Sequence, residues 1–343
     1  MKNAIQRVEQ AIEDIKRGKM VIMMDDEDRE NEGDLVYAAT FSTPDMVNFM
    51  AKEARGLICT PIVKELATKL DLLPMVSNNV SNHETAFTVS IDSTNATTGI
   101  SADERNDCIS KLANPITVEK DFVRPGHIFP LIAKDGGVLV RTGHTEGSVD
   151  LCKLAGLAPV SVICEIIKDD GTMARMDDLE IFSKKHDMNI VYISDIVEYR
   201  LANEKLIERV STQKCDFRGA STEKITYIDH LSRTHTVIKF NKVKETTNVK
   251  FHNIGLDIDL ILDNKRFSAF NNSVEYIKEN GGVIVFLDTK TISKEQAKEF
   301  GVGAQILKDL GIKNINLITK NKETEFIGLA GFGLDVIKKV EIV

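Results

Sequence analysis

The densest group of reactive side chains is an acidic run at residues 25–34, DDEDRENEGD, in which seven of ten residues are carboxylates. The apolar segments VIMM and LVYAA flank the run, so both of its ends are anchored in a core. A charge run is usually a solvated surface loop. Carboxylates at this density repel one another unless a cation neutralises them, however, and oxygen ligands suit Mg²⁺ and Mn²⁺. The anchored ends therefore favour a divalent-metal site.

A second candidate is the turn Arg141–Gly147, RTGHTEG, which directly follows the apolar run GGVLV. A strand that opens into a glycine-flanked turn before a helix presents backbone N–H groups and an arginine to a phosphate. Within this turn, His144 could ligate a metal or merely cap the turn, and its residue type leaves both interpretations open.

Three further features could take part in chemistry but have ordinary structural alternatives. The segment RPGHIFP at 124–130 contains His127, which could equally be a surface histidine in a proline and glycine turn. The hydroxyl-rich segment DSTNATTGIS at 92–101 could simply be a helix start with Ser101 as its N-cap. Glu165 is a carboxylate inside the apolar run VSVICEII, which makes it a candidate general acid or base.

Taken together, these features resemble one family, 3,4-dihydroxy-2-butanone 4-phosphate synthase, a lyase of riboflavin biosynthesis. The motifs that carry the resemblance, in the family's order and at about its separations, are DDEDRENEGDL, DSTNATTGISADER, RPGHIFPL, RTGHTEGSVDLCKLAGL and CEI. The resemblance covers roughly residues 3–200. Its one small departure is Glu104, where the family commonly has aspartate and the charge is the same.

The resemblance implies a reaction, a cation and a set of residues. The family converts D-ribulose 5-phosphate into L-3,4-dihydroxy-2-butanone 4-phosphate and formate with Mg²⁺ or Mn²⁺, and its homodimers have active sites at the subunit interface. By motif, the metal ligands would be Glu30 and His144. The substrate contacts would be Arg29, Glu30, Asp34, Arg141, Thr142, Gly143, His144, Thr145 and Glu165. The residues for proton transfer would be His127, Glu165 and Glu32.

Hydrophobic periodicity predicts the elements that must position these residues, in an α+β or α/β fold. The predicted helices are Ile5–Lys16, Pro44–Ala54, Ser101–Ala113, Val149–Ala155 and Ser293–Leu310. The predicted strands are Met20–Met24, Leu35–Ala39, Leu57–Thr60, Phe87–Ile91, Gly137–Val140, Val160–Ile167, Val283–Leu287 and Ile315–Ile318. The last two strands and the helix between them predict a β-α-β unit.

The chain is long enough for two domains, because 343 residues exceed the roughly 100–200 residues of a typical domain. All seven prolines lie at or before Pro159, and all ten methionines lie at or before Met188. Segment 195–211 is expected to be a helix followed by a polar connection. We therefore predict a synthase-like domain at 1–205 and a second domain at 206–343.

The second domain resembles GTP cyclohydrolase II near its end, at 300–322 and 328–336. Upstream, segment 251–273 lacks the three cysteines with which that family binds zinc, and 286–296 lacks the family's arginine- and glycine-rich loop for GTP phosphates. Catalytic zinc needs three protein ligands, so a catalytically inactive domain is expected. The alternative is a bifunctional enzyme that also has GTP cyclohydrolase II activity. A non-catalytic binding protein conflicts with the intact motif residues.

Composition excludes several other classes of protein. The net charge is −8 without a basic cluster, which argues against a nucleic-acid partner. No apolar run reaches the roughly eighteen residues of a transmembrane helix, and the charged N-terminus does not resemble a signal peptide. The five scattered cysteines form no CxxC pair, which is typical of a reducing compartment. We therefore expect a cytoplasmic enzyme with no membrane partner.

Overall fold

The computed structural model describes residues 3–27, 29–81, 85–240, 246–288, 296–319 and 334–342. The chain divides into two compact units, Met1–Tyr199 and Arg200–Val343. Each unit is built on a mixed sheet with helices, which confirms the predicted α+β or α/β class. Among the described helices, none is both long enough and apolar enough to cross a membrane.

The first unit has a seven-stranded sheet in the order β4-β5-β3-β6-β2-β1-β7. The pairs β1/β7 and β3/β5 are parallel, and the other pairs are antiparallel. The strands are β1 (Val21–Met24), β2 (Gly33–Ala38), β3 (Cys59–Ile62), β4 (Ile91–Ser93), β5 (Phe122–Ile132), β6 (Ser161–Glu165) and β7 (Ile190–Tyr192). The helices are α1 (Ala4–Lys16), α2 (Pro44–Phe49), α3 (Lys64–Lys69), α4 (Ala102–Ala113), α5 (His144–Leu154), α6 (Met176–His186) and α7 (Ile193–Asn203).

The central strands of this sheet are buried on both faces. Ile22 and Met24 of β1 contribute to one core with residues of α2 and α4, whereas Val21 and Met23 contribute to a second core with residues of α1 and α5. Strands covered on both faces are apolar at nearly every position rather than at alternate ones. The runs VIMM and LVYAA were recognisable in the sequence for this reason.

Two predicted strands differ in the structure. Gly137–Val140 is not a strand, because Gly137–Leu139 forms a 3₁₀ turn in which the buried carboxylate of Asp150 accepts a hydrogen bond from Val138 N at 2.8 Å. Gly137 has φ +62°, and a Cβ there would overlap the Asp150 carboxylate, so this turn requires glycine. The predicted strand Phe87–Ile91 is reduced to isolated bridges at Phe87 and Thr88, and β4 begins only at its last residue.

Helix α5 begins at His144, five residues before the predicted start at Val149. Gly143 precedes it in an extended conformation, and Gly147 lies so close to β1 that a Cβ would come within 2.7 Å of Met23 Sδ. The earlier start places His144 at the N-terminus of a buried helix. The proline and glycine segment 124–130 is part of β5 rather than a turn.

The second unit has a seven-stranded sheet in the order β14-β13-β11-β12-β10-β9-β8, parallel from β14 to β12 and antiparallel from β12 to β8. The strands are β8 (Ile207–Phe217), β9 (Ala220–Asp229), β10 (Thr234–Phe240), β11 (Thr246–Ile254), β12 (Val283–Asp288), β13 (Asn314–Thr319) and β14 (Asp335–Glu341). The helices are α8 (Asp257–Leu262), α9 (Asn264–Asn280) and α10 (Gln296–Asp309).

The predicted strand-helix-strand segment is present in the second unit as β12, α10 and β13, with β11 between the two parallel strands. The first three residues of the predicted helix, 293–295, lie outside the described residues. The predicted polar connection after α7 is wrong, because residues 207–217 form strand β8.

Candidate active site

The acidic run connects the antiparallel strands β1 and β2, and Asp25 organises its fold. Asp25 Oδ2 accepts hydrogen bonds from Arg29 Nη1 at 2.8 Å and from Glu30 N at 3.1 Å, while its Oδ1 accepts from Glu32 N at 2.8 Å. The loop therefore folds back onto one buried carboxylate. As a result Arg29, Glu30 and Glu32 line the same cavity.

Arg175, the residue that precedes α6, holds the loop from the other side. Its Nη1 donates to the carbonyl oxygens of Glu30, at 2.7 Å, and of Asn31. The same nitrogen lies 3.9 Å from Glu32 Oε1. These contacts fix the backbone of the acidic loop from outside the cavity.

The side chain of His144 lies buried between two carboxylates of this loop and strand. Its Nδ1 is 3.7 Å from Glu30 Oε2, and its Nε2 is 3.9 Å from Asp34 Oδ1. Within the described structure, His144 Nε2 and Asp34 Oδ1 are buried and have no hydrogen-bond partner. Ligand atoms of Asp25, Glu30 and His144 lie within 4.8 Å of one another. Buried polar atoms without partners are costly, and this donor set fits a divalent cation.

The pKa values of this cluster reflect its crowded negative charge. Burial raises the pKa of Asp34 to about 7 even though His144 is close by. Burial lowers the pKa of His144, but the carboxylates of Asp34 and Glu30 raise it further, to about 9. Burial and the charge of Glu30 also raise the pKa of Glu32. Without a cation the cluster therefore retains protons near neutral pH, and a cation would displace them.

Glu165 joins the site through strand register and one backbone contact. The β2–β6 pairing places it opposite Asp34. Its Oε2 accepts a hydrogen bond from Leu57 N at 2.8 Å. A Cβ at Gly56 would come within 2.5 Å of Glu165 Oε2, so only glycine lets the backbone approach this carboxylate. The carboxylate that the sequence singled out is thus held in place at the edge of the cavity.

Arg141 is fixed beside the cavity by a buried partner. Its Nη1 donates to Glu146, and its Nη2 donates to Thr85 Oγ1 at 3.2 Å. Glu146 also accepts a hydrogen bond from Lys134 N at 3.0 Å. A guanidinium held in this way, next to the N-terminus of α5, suits recognition of a phosphate.

These side chains surround a cavity of about 170 Å³. It is lined by Arg29, Glu30, Glu32, Asp34, Cys59, Thr85, Phe87, Leu131, Arg141, His144, Thr145, Ile163 and Glu165. Thr142 and Gly143 belong to the turn before α5 but are not among the lining residues. Sequence reasoning missed Cys59, Thr85, Phe87, Leu131 and Ile163 as site residues. Only Leu131 belongs to one of the motifs, RPGHIFPL, and the fold alone brings the five side chains to the cavity.

His127 is the one predicted site residue on another part of the sheet. It lies on β5 with its Nδ1 2.7 Å from Asp92 Oδ2. It is not among the described residues that line the cavity. One chain therefore brings together the predicted metal ligands, Glu32 and Glu165, but not His127.

Comparisons with known proteins identify the families that the chain matches. The family model of 3,4-dihydroxy-2-butanone 4-phosphate synthase matches residues 9–199, and that of GTP cyclohydrolase II matches residues 289–341. A 3,4-dihydroxy-2-butanone 4-phosphate synthase of Sulfurospirillum multivorans is 54% identical over 339 residues, which cover 99% of this chain and 95% of the relative.

Two solved structures show the same relationship. RibBX from A. baumannii, described as a two-domain 3,4-dihydroxy-2-butanone 4-phosphate synthase, is 38% identical with a TM-score of 0.80, covering 98% of this chain and 99% of its own. A 3,4-dihydroxy-2-butanone 4-phosphate synthase in complex with two magnesium ions is 40% identical with a TM-score of 0.54, covering 55% of this chain and 94% of its own. The chain belongs to the 3,4-dihydroxy-2-butanone 4-phosphate synthase family, with a GTP cyclohydrolase II-like region at its C-terminal end.

Proposed function

We propose that this protein converts D-ribulose 5-phosphate into L-3,4-dihydroxy-2-butanone 4-phosphate and formate, a step of riboflavin biosynthesis. The observation that carries the proposal is the meeting of Glu30, His144 and Glu165 in one cavity beside the fixed guanidinium of Arg141. Release of formate from D-ribulose 5-phosphate tests it. The net charge of −8 and the small cavity support a small-molecule substrate over a nucleic acid.

The cation in this proposal is Mg²⁺ or Mn²⁺, held by Glu30 and His144. Asp25 lies within reach of the same position. A bound divalent cation would polarise the vicinal oxygens of the sugar and stabilise the negative charge that develops on them. The unpartnered Nε2 of His144 and the hard oxygen ligands around it support this assignment.

The remaining residues bind the substrate and move protons. Arg141, three residues before α5, and Thr145, in the first turn of α5, would hold the phosphate, where the helix N-terminus also favours negative charge. Glu165 and Glu32 would transfer protons during enolisation and during loss of the C1 hydroxyl as water. After migration of the carbon skeleton, water re-enters and C4 leaves as formate, so the five carbons divide into four and one.

We further propose a homodimer in which His127 completes the partner's site. His127 is absent from the cavity of its own chain, and its side chain is 44% exposed. Val123, on the same strand, and Val118, nine residues before His127 in the sequence, have exposed apolar side chains. Association would bury them, and a two-fold interface would bring each His127 to the other subunit's cavity.

Subunit complementation tests this arrangement. His127→Ala and His144→Ala proteins should each be inactive. Mixed by denaturation and renaturation, they should recover about a quarter of wild-type activity, because half of the dimers are mixed and one of their two sites is intact. Renaturing either variant alone is the control. Mixed dimers that mass spectrometry detects but that stay inactive would contradict the shared site.

We propose that residues 1–205 carry the synthase and that residues 206–343 are catalytically inactive. Cys215 is the only cysteine after residue 205, and its Sγ lies 3.2 Å from Thr222 Oγ1. The ring of His252 packs against Phe270, at 4.5 Å between centroids, and its pKa is lowered to about 4 by burial. Among the described residues, the group of three side chains that could hold a metal ion lies in the first unit, at Asp25, Glu30 and His144.

The bifunctional alternative requires a zinc site in the second unit. It would be supported by stoichiometric zinc there, or by GTP turnover that substitutions within 206–343 abolish. For the location of the enzyme we propose the cytoplasm, because all five cysteines are free and four of them are buried.

A further inference from the structure

Asp92 contacts His127 through two hydrogen bonds. The backbone N–H of His127 donates to Asp92 Oδ1 at 2.9 Å, and Nδ1 of the ring lies 2.7 Å from Asp92 Oδ2. The carboxylate is buried, whereas the histidine ring is partly exposed. Nδ1 of the ring is therefore hydrogen-bonded to Asp92, and Nε2 is the nitrogen that can exchange a proton with a substrate.

The local backbone aims Asp92 at the histidine. The β4–β5 register shifts between Ile91 and Asp92, and such irregularities redirect a side chain. Opposite the shift, Gly126 approaches so closely that a Cβ would overlap the backbone of Ile91 and Asp92. This pairing therefore accepts glycine alone at position 126, directly before His127.

A loop closes over the pair from the other side. Gly99, at φ +80°, lies where a Cβ would overlap Asp92 Oδ2 and come within 2.7 Å of His127 Nδ1. The carboxylate of Glu104 ties this loop to α4, because it accepts hydrogen bonds from Gly99 N at 3.0 Å and from Thr97 N at 2.6 Å. The Asp92–His127 contact is thus enclosed by backbone that is fixed independently.

We propose that Asp92 is a positioning residue for His127. It accepts a hydrogen bond from Nδ1–H and so holds the neutral imidazole in the tautomer whose Nε2 takes a proton from the substrate. When Nε2 is protonated, both N–H bonds remain on the ring, and the carboxylate stabilises the cation without gaining a proton. This role rests on the proposed proton transfer by His127.

The test is Asp92→Asn in the full-length chain. The amide oxygen can still accept the backbone N–H of His127, but the amide NH₂ faces Nδ1 and favours a proton on Nε2 instead. We expect kcat for formate release to fall by roughly 10²–10⁴. KM for D-ribulose 5-phosphate and Tm should change little, and ¹⁵N NMR of labelled histidine should show His127 switching from the Nδ1–H to the Nε2–H tautomer.

The matched control is Asp107→Asn, the same substitution at a partly exposed position of α4. It removes the contact of 3.4 Å between Asp107 Oδ2 and Lys111 Nζ, and Asp107 is not a contact of Asp92 or His127. It should change neither kcat nor the tautomer.

Two results would overturn the role of Asp92. One is a wild-type protein in which His127 carries its proton on Nε2, which is measurable even if Asp92→Asn does not fold. The other is an Asp92→Asn protein with altered tautomer and unchanged kcat. Full activity in His127→Ala would instead refute the proton-transfer role of His127. The NMR measurement tests the contact between Asp92 and His127 separately, because it reports the tautomer without turnover.

Discussion

Glu30→Gln and His144→Ala should each abolish formate release from D-ribulose 5-phosphate. Each substitution removes one proposed ligand of the cation and leaves the other without its counterpart in a buried site. Changes to groups behind metal ligands already cost roughly 10–100-fold, so loss of a ligand should cost more, roughly 10³-fold or above. Calorimetric titration with Mg²⁺ should show the affinity falling in parallel with kcat.

The control for this pair is Glu180→Gln, which removes an exposed carboxylate of α6 that pairs with Lys184 on the helix surface. Its activity and Mg²⁺ affinity should match the wild type. EDTA should abolish wild-type activity, and added Mg²⁺ or Mn²⁺ should restore it. Full turnover by protein that is shown to be metal-free would refute the cation's role.

Glu165→Gln should lower kcat by roughly 10²–10⁴, the usual contribution of a positioned general acid or base. Glutamine can still accept the hydrogen bond from Leu57 N, so the backbone beside Gly56 should remain in place. Tm should therefore stay within a few degrees of the wild type. Steady-state kinetics and thermal melting, with the exposed-site variant Asp170→Asn as the control, measure both quantities.

A different outcome would show that Glu165 has a structural role and not a catalytic one. If Glu165→Gln melted far below the wild type while kcat fell only slightly, the carboxylate would serve mainly to hold the Leu57 backbone.

The candidate site was easiest to recognise where its residues are contiguous in the chain. The acidic run and the RTGHTEG turn each bring several reactive side chains together locally, so residue type and spacing mark them as candidates, whereas the choice of Glu30 and His144 as metal ligands came from the family resemblance. Asp25 belongs to the acidic run, but its organising role depends on three hydrogen bonds that no spacing rule specifies. The contribution of Arg175 likewise arises only when α6 packs beside the loop.

Contacts between residues that are distant in the chain account for the parts of the site and fold that the sequence did not predict. Thr85 and Cys59 reach the cavity from segments without any motif. Gly137–Val140 has a strand-like composition, but the Asp150 carboxylate and the positive φ of Gly137 select a 3₁₀ turn. His127 and Glu165 were grouped by resemblance, whereas the fold of one chain separates them.

In the second unit, buried strands were predicted from the sequence and an exposed edge strand was not. Its buried strands β12 and β13 were recognisable as apolar runs. Strand β8 lies at the sheet edge and is mostly exposed, so its sequence lacks apolar alternation and resembles a polar connection. Exposed edge strands carry little periodic signal for the same reason.

The proposed reaction is tested most directly by product analysis with the purified full-length chain and Mg²⁺. D-ribulose 5-phosphate labelled with ¹³C at C4 is the substrate, and GTP is supplied in a parallel reaction. We expect labelled formate and unlabelled L-3,4-dihydroxy-2-butanone 4-phosphate in equal amounts from the sugar phosphate, and no formate from GTP. Absence of labelled formate from the sugar phosphate, or formate release from GTP alone, would contradict the assignment.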